Sequence, residues 1–315
     1  MTHSETSTRL PIVEAENTAA WFAANSQSLA STVDEHGAVL LRGLDVTTPA
    51  EVAVVADALG IKRMTERESF APRSTYAEAV YSSSGWPPDE PMCMHHELSY
   101  ADEVPSRILF GCLVAPKTGG DTEIADAAKV LDALPGDLVD RFAAEGWLLT
   151  RMYHEIGVSW QEAFGTDAPS AVDAYCAGAQ VRREWLPDGR LLTRQRRAAV
   201  VRRPGRDTSL WFNQIAFLNE WTMDPVIREF LVDSYGPDGL PFNTAHGDGT
   251  PVTAETVETI NAAYDQVAVG EPWRDGDVLL VDNIRTAHSR APYEGDREIV
   301  VILGDPVRPA GHVLP

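Results

Sequence analysis

The stretch Gly276-Asp-Val-Leu-Leu-Val-Asp-Asn-Ile-Arg-Thr-Ala-His288 carries the strand on which the fold reading turns. Its core, Val278–Asp282, is short, apolar and β-branched at its start and end, and an Asp-Asn pair closes it; this is the composition of a buried strand. A second such run at 299–303 closes the chain, and 37–43 and 108–115 hold two more. Shorter strand-like pieces lie at 147–150, 181–184, 191–193, 199–202 and 209–212, and helical spacing marks 16–33, 50–59, 126–134, 224–235 and 253–267. Many short strands, few helices and no regular β-α alternation argue against a doubly wound sheet. They predict a mainly β chain with helices, on an antiparallel barrel or jelly roll.

The chain has 315 residues with a hydrophobic fraction of 44%, enough to bury a sizeable core, and is read as one domain over 1–315. Lys and Arg number 26 against 47 Asp and Glu, a net charge of −21 that repels phosphate backbones, so no nucleic-acid partner is expected. No apolar run is long enough to span a membrane. Residues 1–11 are polar and lack the apolar core of an export signal. Three widely spaced cysteines, Cys93, Cys112 and Cys176, form no disulfide framework, so a cytoplasmic location is expected.

Two segments depart from this background. Residues 61–93 are polar and irregular, with Ser82-Ser-Ser-Gly85 and Pro87-Pro88, and end beside a histidine pair. Long irregular stretches inside domains are commonly functional, so 61–93 is read as an active-site lid, with Trp86 near its mouth. Residues 182–206 hold nine arginines against Glu184 and Asp188, and are read as an Arg-rich insert. Such a cluster is either a solvated face paired with acidic neighbours or a docking surface for an anionic partner. Phosphate loops, the G-x-S-x-G elbow, the H-E-x-x-H helix and zinc-ribbon cysteine pairs are all missing.

The chemistry concentrates in Met94-His95-His96-Glu97-Leu98-Ser99-Tyr100 and in His288. On an extended strand, residues i and i+2 share a face, so His95 and Glu97 can grip one ion while His96 faces away. His288, after its apolar strand, completes a triangle. Two imidazoles and one carboxylate leave three positions open, the arrangement of non-haem Fe(II) oxygenases. Taken alone, the same residues also suit a buried polar pair or a zinc site.

Further motifs add to the triad. His95-x-Glu97-x-Ser99-Tyr100, Pro105, Phe110, Gly119-Gly-Asp-Thr122 and Asp126 are followed by Trp211-Phe-Asn213, and then by Gly276 to His288 and Arg297. With Leu40-Leu-Arg-Gly43, this ordered set resembles the taurine dioxygenase superfamily over roughly 37 to 305. The resemblance implies a double-stranded β-helix (jelly-roll) core, Fe(II), O2 and 2-oxoglutarate as co-substrate. It implies His95, Glu97 and His288 as iron ligands, and Arg297 with Thr122 as the holders of the distal carboxylate of 2-oxoglutarate; a guanidinium fork suits a carboxylate. Most of that superfamily has Asp where this chain has Glu97. The Glu form resembles the clavaminate synthase-like branch, which includes hydroxylases of free amino acids.

The expected function is therefore hydroxylation of an unactivated C–H bond of a free amino acid or amino-acid derivative in a biosynthetic pathway. The alternatives are an aminoacyl group tethered to a carrier protein, which would dock at 182–206, and a small organic acid. Outside oxygenases they are a zinc-dependent jelly-roll enzyme or a binding protein. Trp86, Asn213, Arg285 and Arg290 are the candidate substrate contacts.

Overall fold

The structure is a computed structural model and describes residues 9–154, 156–203, 205–236 and 238–314. Residues 1–8, on which most of the expectation about export rests, lie outside the described residues, as does residue 204 within the arginine-rich segment.

A seven-stranded sheet runs in the order Ile12–Glu14, Ala38–Arg42, Val278–Asp282, Val104–Val114, Glu298–Val307, Val80–Ser82, Thr75–Ala77. Its neighbours are antiparallel except for the first pair. Against it packs a three-stranded antiparallel sheet of Met92–His95, Thr286–Arg290 and Ile124–Asp126. These two sheets form the expected jelly-roll core. A four-stranded sheet of Arg182–Trp185, Leu191–Arg197, Trp147–Tyr153 and Asn243–His246 extends it.

Period-2 alternation explains why the central strands read as unbroken apolar runs. Leu279, Val281, Ile299, Val301 and Leu303 face the space between the sheets, with Met92, Ile124 and Ala287 opposite. Val278, Leu280, Val300 and Ile302 face outward against Phe22, Leu29, Val52 and Val55 of the helices Ala19–His36 and Pro49–Ala58. Both faces are buried, so neither tolerates polar residues. Local signals set these helices: Thr48 and Glu51 form a capping box ahead of Pro49, and Gly37 ends the first helix at φ 83. Gly111 lets the second helix close on the sheet, since a Cβ there would lie 2.5 Å from a Val52 methyl.

The structure adds detail to these readings. Helices occupy about as many residues as strands, because Gly136–Glu145 and Pro169–Gly178 add to those expected. Residues 61–93 are not irregular throughout: Thr75–Ala77 and Val80–Ser82 form a hairpin that extends the large sheet beside Glu298–Val307. Strands of three residues are too short to show a period, and their partner lies at the far end of the chain. Residues 182–206 carry the strands expected there: Arg182–Trp185 and Leu191–Arg197 belong to the four-stranded sheet, and Val200–Arg202 pairs with Ser209–Trp211. Six of the nine arginines form ion pairs: Arg183 with Asp173, Arg190 with Asp188, Arg194 with Asp238, Arg202 with Asp207, and Arg203 and Arg206 with Asp34. Among the described residues no helix is long and apolar enough to cross a membrane, and the three cysteines are unpaired.

Burial also gives a pH-dependent stability. His312 is 1% exposed against Phe212, and burial pushes its pKa down to about 3. Below pH 6.5 the unfolded chain binds this proton while the fold does not, so stability falls as pH drops from 6.5 towards 3. The expected slope from His312 is about 1.4 kcal/mol per pH unit. Urea unfolding at pH 7 and pH 5 measures it; a His312→Gln variant with an unchanged slope would contradict it.

Candidate active site

His95 ends the strand Met92–His95, and His288 sits within Thr286–Arg290; the two are direct cross-strand partners. The register alone therefore sets the imidazoles side by side, with ring centroids 4.3 Å apart. Glu97 arrives differently. The strand stops at His95, and Glu97 enters a turn whose next residue, Leu98, has φ 55. Asn283 fixes this turn. Its Oδ1 accepts from the Glu97 amide at 2.8 Å, and its Nδ2 donates to the carbonyls of Glu97 at 3.0 Å and Pro105 at 2.8 Å. Shared strand geometry is therefore not what brings Glu97 to His95. His96 does turn away: its Nδ1 lies 2.6 Å from the Asn283 carbonyl, and its ring meets Phe212.

Glu97 Oε2 lies 3.6 Å from Nε2 of both His95 and His288, and one donor atom of each residue falls within 4.8 Å of the others. All three side chains are buried. The His95 Nδ1 lies 2.8 Å from the Cys93 carbonyl, so Nε2 is the atom presented to the other two. Phe217 stacks on the His95 ring at 4.6 Å, and Phe110 lies 5.2 Å from the His288 ring. Burial, then the neighbouring His95, push His288 down to about 4. Burial opposes the charge on Glu97, but Arg73 and the two imidazoles outweigh it and hold this carboxyl well below its usual range. Two imidazoles and one carboxylate form a donor set that fits a divalent metal.

The triad opens into a cavity of about 40 Å³, which Thr122 and Arg297 also line. Arg297 is largely buried: its Nε donates to the Gly120 carbonyl at 3.0 Å and its guanidinium lies over Tyr293. Among the described residues it forms no ion pair with a carboxylate. Burial and the nearby Arg290 lower it to about 10. Asp121 is near enough to feel this charge but makes no ion pair with it, so a largely buried guanidinium is left with capacity for an anion, and the site fits a dicarboxylic co-substrate. The two glycines before Thr122 are required here. Gly119 and Gly120 have φ 66 and 70, and a Cβ on Gly120 would press on Arg297 Cδ at 3.1 Å.

The candidate substrate contacts separate. Arg290 lines the cavity, and its guanidinium donates to the carbonyls of Trp86, Pro87 and Glu90, which ties 86–90 over the site. Trp86 packs on Phe217 at 5.6 Å, one ring behind His95. Asn213 is elsewhere: its amide bonds the Ala199 carbonyl and the Ile215 amide. Arg285 pairs with Asp126 at 2.7 Å and bonds the Asp34 carbonyl, also away from the cavity. Sequence reasoning missed Arg73, which lines the cavity and donates to Glu97 Oε1 at 2.8 Å. No motif marks it.

Residues 6–303 match the model of the taurine catabolism dioxygenase TauD, TfdA family. The chain belongs to this family. It is 34% identical to the dapdiamide synthesis protein DdaC of Enterobacter agglomerans over 90% of this chain and 86% of that protein. A clavaminate synthase-like protein of Arabidopsis thaliana is 28% identical over 87% and 83%. In fold the chain is similar to PvcB, an Fe, alpha-ketoglutarate dependent oxygenase from an isonitrile synthetic pathway, with TM-score 0.57, 14% identity and coverage of 98% and 92%. An asparagine oxygenase structure follows at TM-score 0.54, 16% identity and coverage of 90% and 80%. As a TauD, TfdA family member with a buried His-Glu-His donor set, the chain is an Fe(II)/2-oxoglutarate-dependent dioxygenase.

Proposed function

We propose that this TauD-family dioxygenase hydroxylates an unactivated C–H bond of an amino acid or amino-acid derivative in a biosynthetic pathway. His95, Glu97 and His288 hold the iron, and Arg297 with Thr122 holds the distal carboxylate of 2-oxoglutarate. The observation that carries this reading is one cavity shared by a buried His-Glu-His triad and a guanidinium with no carboxylate of its own. The bound metal supplies O2 activation coupled to decarboxylation of the 2-oxo acid. The chain does the rest: Arg297 and Thr122 orient the co-substrate, and Phe217, Phe110 and Met92 keep water from the reacting face. The segment 61–93 serves as a lid, closed by the Arg290 bonds to 86–90.

The amino-acid assignment draws support from the synthesis role in the name of the DdaC relative and from the cavity wall. Arg290 lines the cavity with a buried Nε that has no hydrogen-bond partner among the described residues, which suits a substrate that carries a carboxylate. The carrier-tethered alternative needs a free basic face, and most of the 182–206 arginines already hold acids. A cytoplasmic setting, read from the unpaired cysteines, belongs to the same proposal.

The test is anaerobic addition of Fe(II), then 2-oxoglutarate, to the apoprotein, with detection of the weak visible band of a metal-chelated 2-oxo acid. Succinate release is then followed over free amino acids, N-acylated derivatives, small organic acids and carrier-bound aminoacyl groups. A band, with turnover stimulated by one of the first two classes, is the expected result. No band in folded protein would point to the zinc or binding-protein alternative, and stimulation confined to the other classes would overturn the substrate assignment.

A further inference from the structure

The two oxygens of Glu97 have different neighbours. Oε2 faces both histidine Nε2 atoms at 3.6 Å, whereas Oε1 accepts from Arg73 Nη2 at 2.8 Å. The other side of the same guanidinium meets Glu66, with Nε 3.5 Å from Oε2. Both Arg73 and Glu66 side chains are 6% exposed, and Arg73 Nη1 is buried with no partner among the described residues. A cation is therefore held between two buried carboxylates, one of them at the metal site.

The loop that delivers Arg73 is anchored along its length. The Glu68 carboxylate accepts from Tyr175 at 2.7 Å and from Gln195 at 3.1 Å. Its carbonyl accepts from Tyr100 and Arg151, and the next carbonyl, of Ser69, also accepts from Arg151. Beyond the arginine's neighbour, the Pro72 carbonyl accepts from the Gly85 amide at 2.9 Å. Arg73 reaches Glu97 because a fixed loop puts it there.

We infer that Arg73 is a positioning residue that makes Glu97 a one-oxygen metal ligand; this rests on the reading of Glu97 as a ligand given above. A glutamate has one more rotatable bond than an aspartate, so its carboxylate is free to turn and chelate with both oxygens. That would take a coordination position needed by co-substrate or O2. A guanidinium bonded to Oε1 removes that oxygen from competition and aims Oε2 at the two imidazoles. Arg73 thus offsets the longer side chain at position 97.

The test uses the full chain with Co(II) as probe, read by binding affinity and by the visible d–d absorption envelope, both independent of turnover. Wild type is expected to bind Co(II), and His288→Ala to lose it. Arg73→Met is expected to weaken Co(II) binding roughly 10–100-fold and to alter the absorption envelope, as loss of a ligand's outer partner does. Arg73→Lys, which keeps one donor, should recover part of both. Because Arg73→Met leaves Glu66 buried and unpaired, Arg73→Met/Glu66→Gln provides a second variant that relieves this charge. Co(II) affinity within about twofold of wild type and an unchanged envelope, in either folded variant, would overturn the inference. If wild type bound Co(II) independently of His288, the ligand reading would fall and this inference with it; that result is distinct, because it appears before Arg73 is touched.

Discussion

Replacing His288 with Ala is expected to abolish metal binding and turnover while leaving the fold intact. His288 is one of three groups that converge on the site, and removal of a ligand exceeds the roughly 10–100-fold loss typical of an outer-shell partner. The imidazole packs on His95 and Phe110 and faces Glu97, so its loss costs the apo fold some packing without removing a strand. Among the described residues its Nδ1 has no hydrogen-bond partner, and its charged form is disfavoured by burial and by His95. Thermal unfolding separates the two roles. A metal present at 100 times its dissociation constant stabilises the native state by about 2.7 kcal/mol. Anaerobic Fe(II), or Co(II), should therefore raise the melting temperature of wild type and leave that of His288→Ala unmoved. A metal-dependent rise that survives in the variant would remove His288 from the ligand set.

The second large effect is expected at Arg297. Arg297→Met should weaken 2-oxoglutarate binding by several hundred-fold or more, in line with about 3–5 kcal/mol for breaking a buried charge pair. The same variant should be at least as stable as wild type without ligand. Arg297 is a largely buried cation near Asp121 but in no ion pair among the described residues, so its removal relieves a burial cost rather than breaking an ion pair. Lys at this position should recover only part of the affinity, since it lacks the guanidinium fork. The sign of the pH effect follows. Burial lowers Arg297 to about 10, and bound dicarboxylate favours its protonated form, so affinity on this group's account is flat below pH 10 and falls above it. Titration of 2-oxoglutarate into Fe(II)-loaded protein measures the affinity, and urea unfolding the stability. A destabilised variant that still bound 2-oxoglutarate normally would make Arg297 a structural residue.

The sequence discloses the parts of the site that lie on regular elements. His288 follows a five-residue apolar strand, and His95 ends another, so a strand reading reaches both. Thr122 and Arg297 are reached through the ordered motifs of the family, with Gly119 and Gly120 marking a turn that only glycine accepts cheaply. Arg285 and Asn213 show the limit of proximity in sequence. Both sit beside motif residues, yet Arg285 is drawn to Asp126 and Asn213 to backbone groups at 199 and 215. The arginine cluster shows the same limit: Asp34 takes Arg203 and Arg206, and Asp238 takes Arg194, from distant parts of the chain.

By itself the sequence determined the strand runs, the spacing of the candidate histidine-glutamate triad and the family. Local pattern and fixed spacing encode each of these, because side-chain alternation and turn geometry act over a few residues. Only the tertiary structure decided how Glu97 is held and which of the candidate arginines reach the cavity. It also decided that 75–82 joins the large sheet and that Arg73 meets the second oxygen of Glu97. Those outcomes depend on long-range pairing of buried polar groups. Asn283 must meet the backbone of Glu97, and Arg73 must find Glu66 and Glu97 rather than solvent, because a buried polar group without a partner costs roughly 1–3 kcal/mol or more.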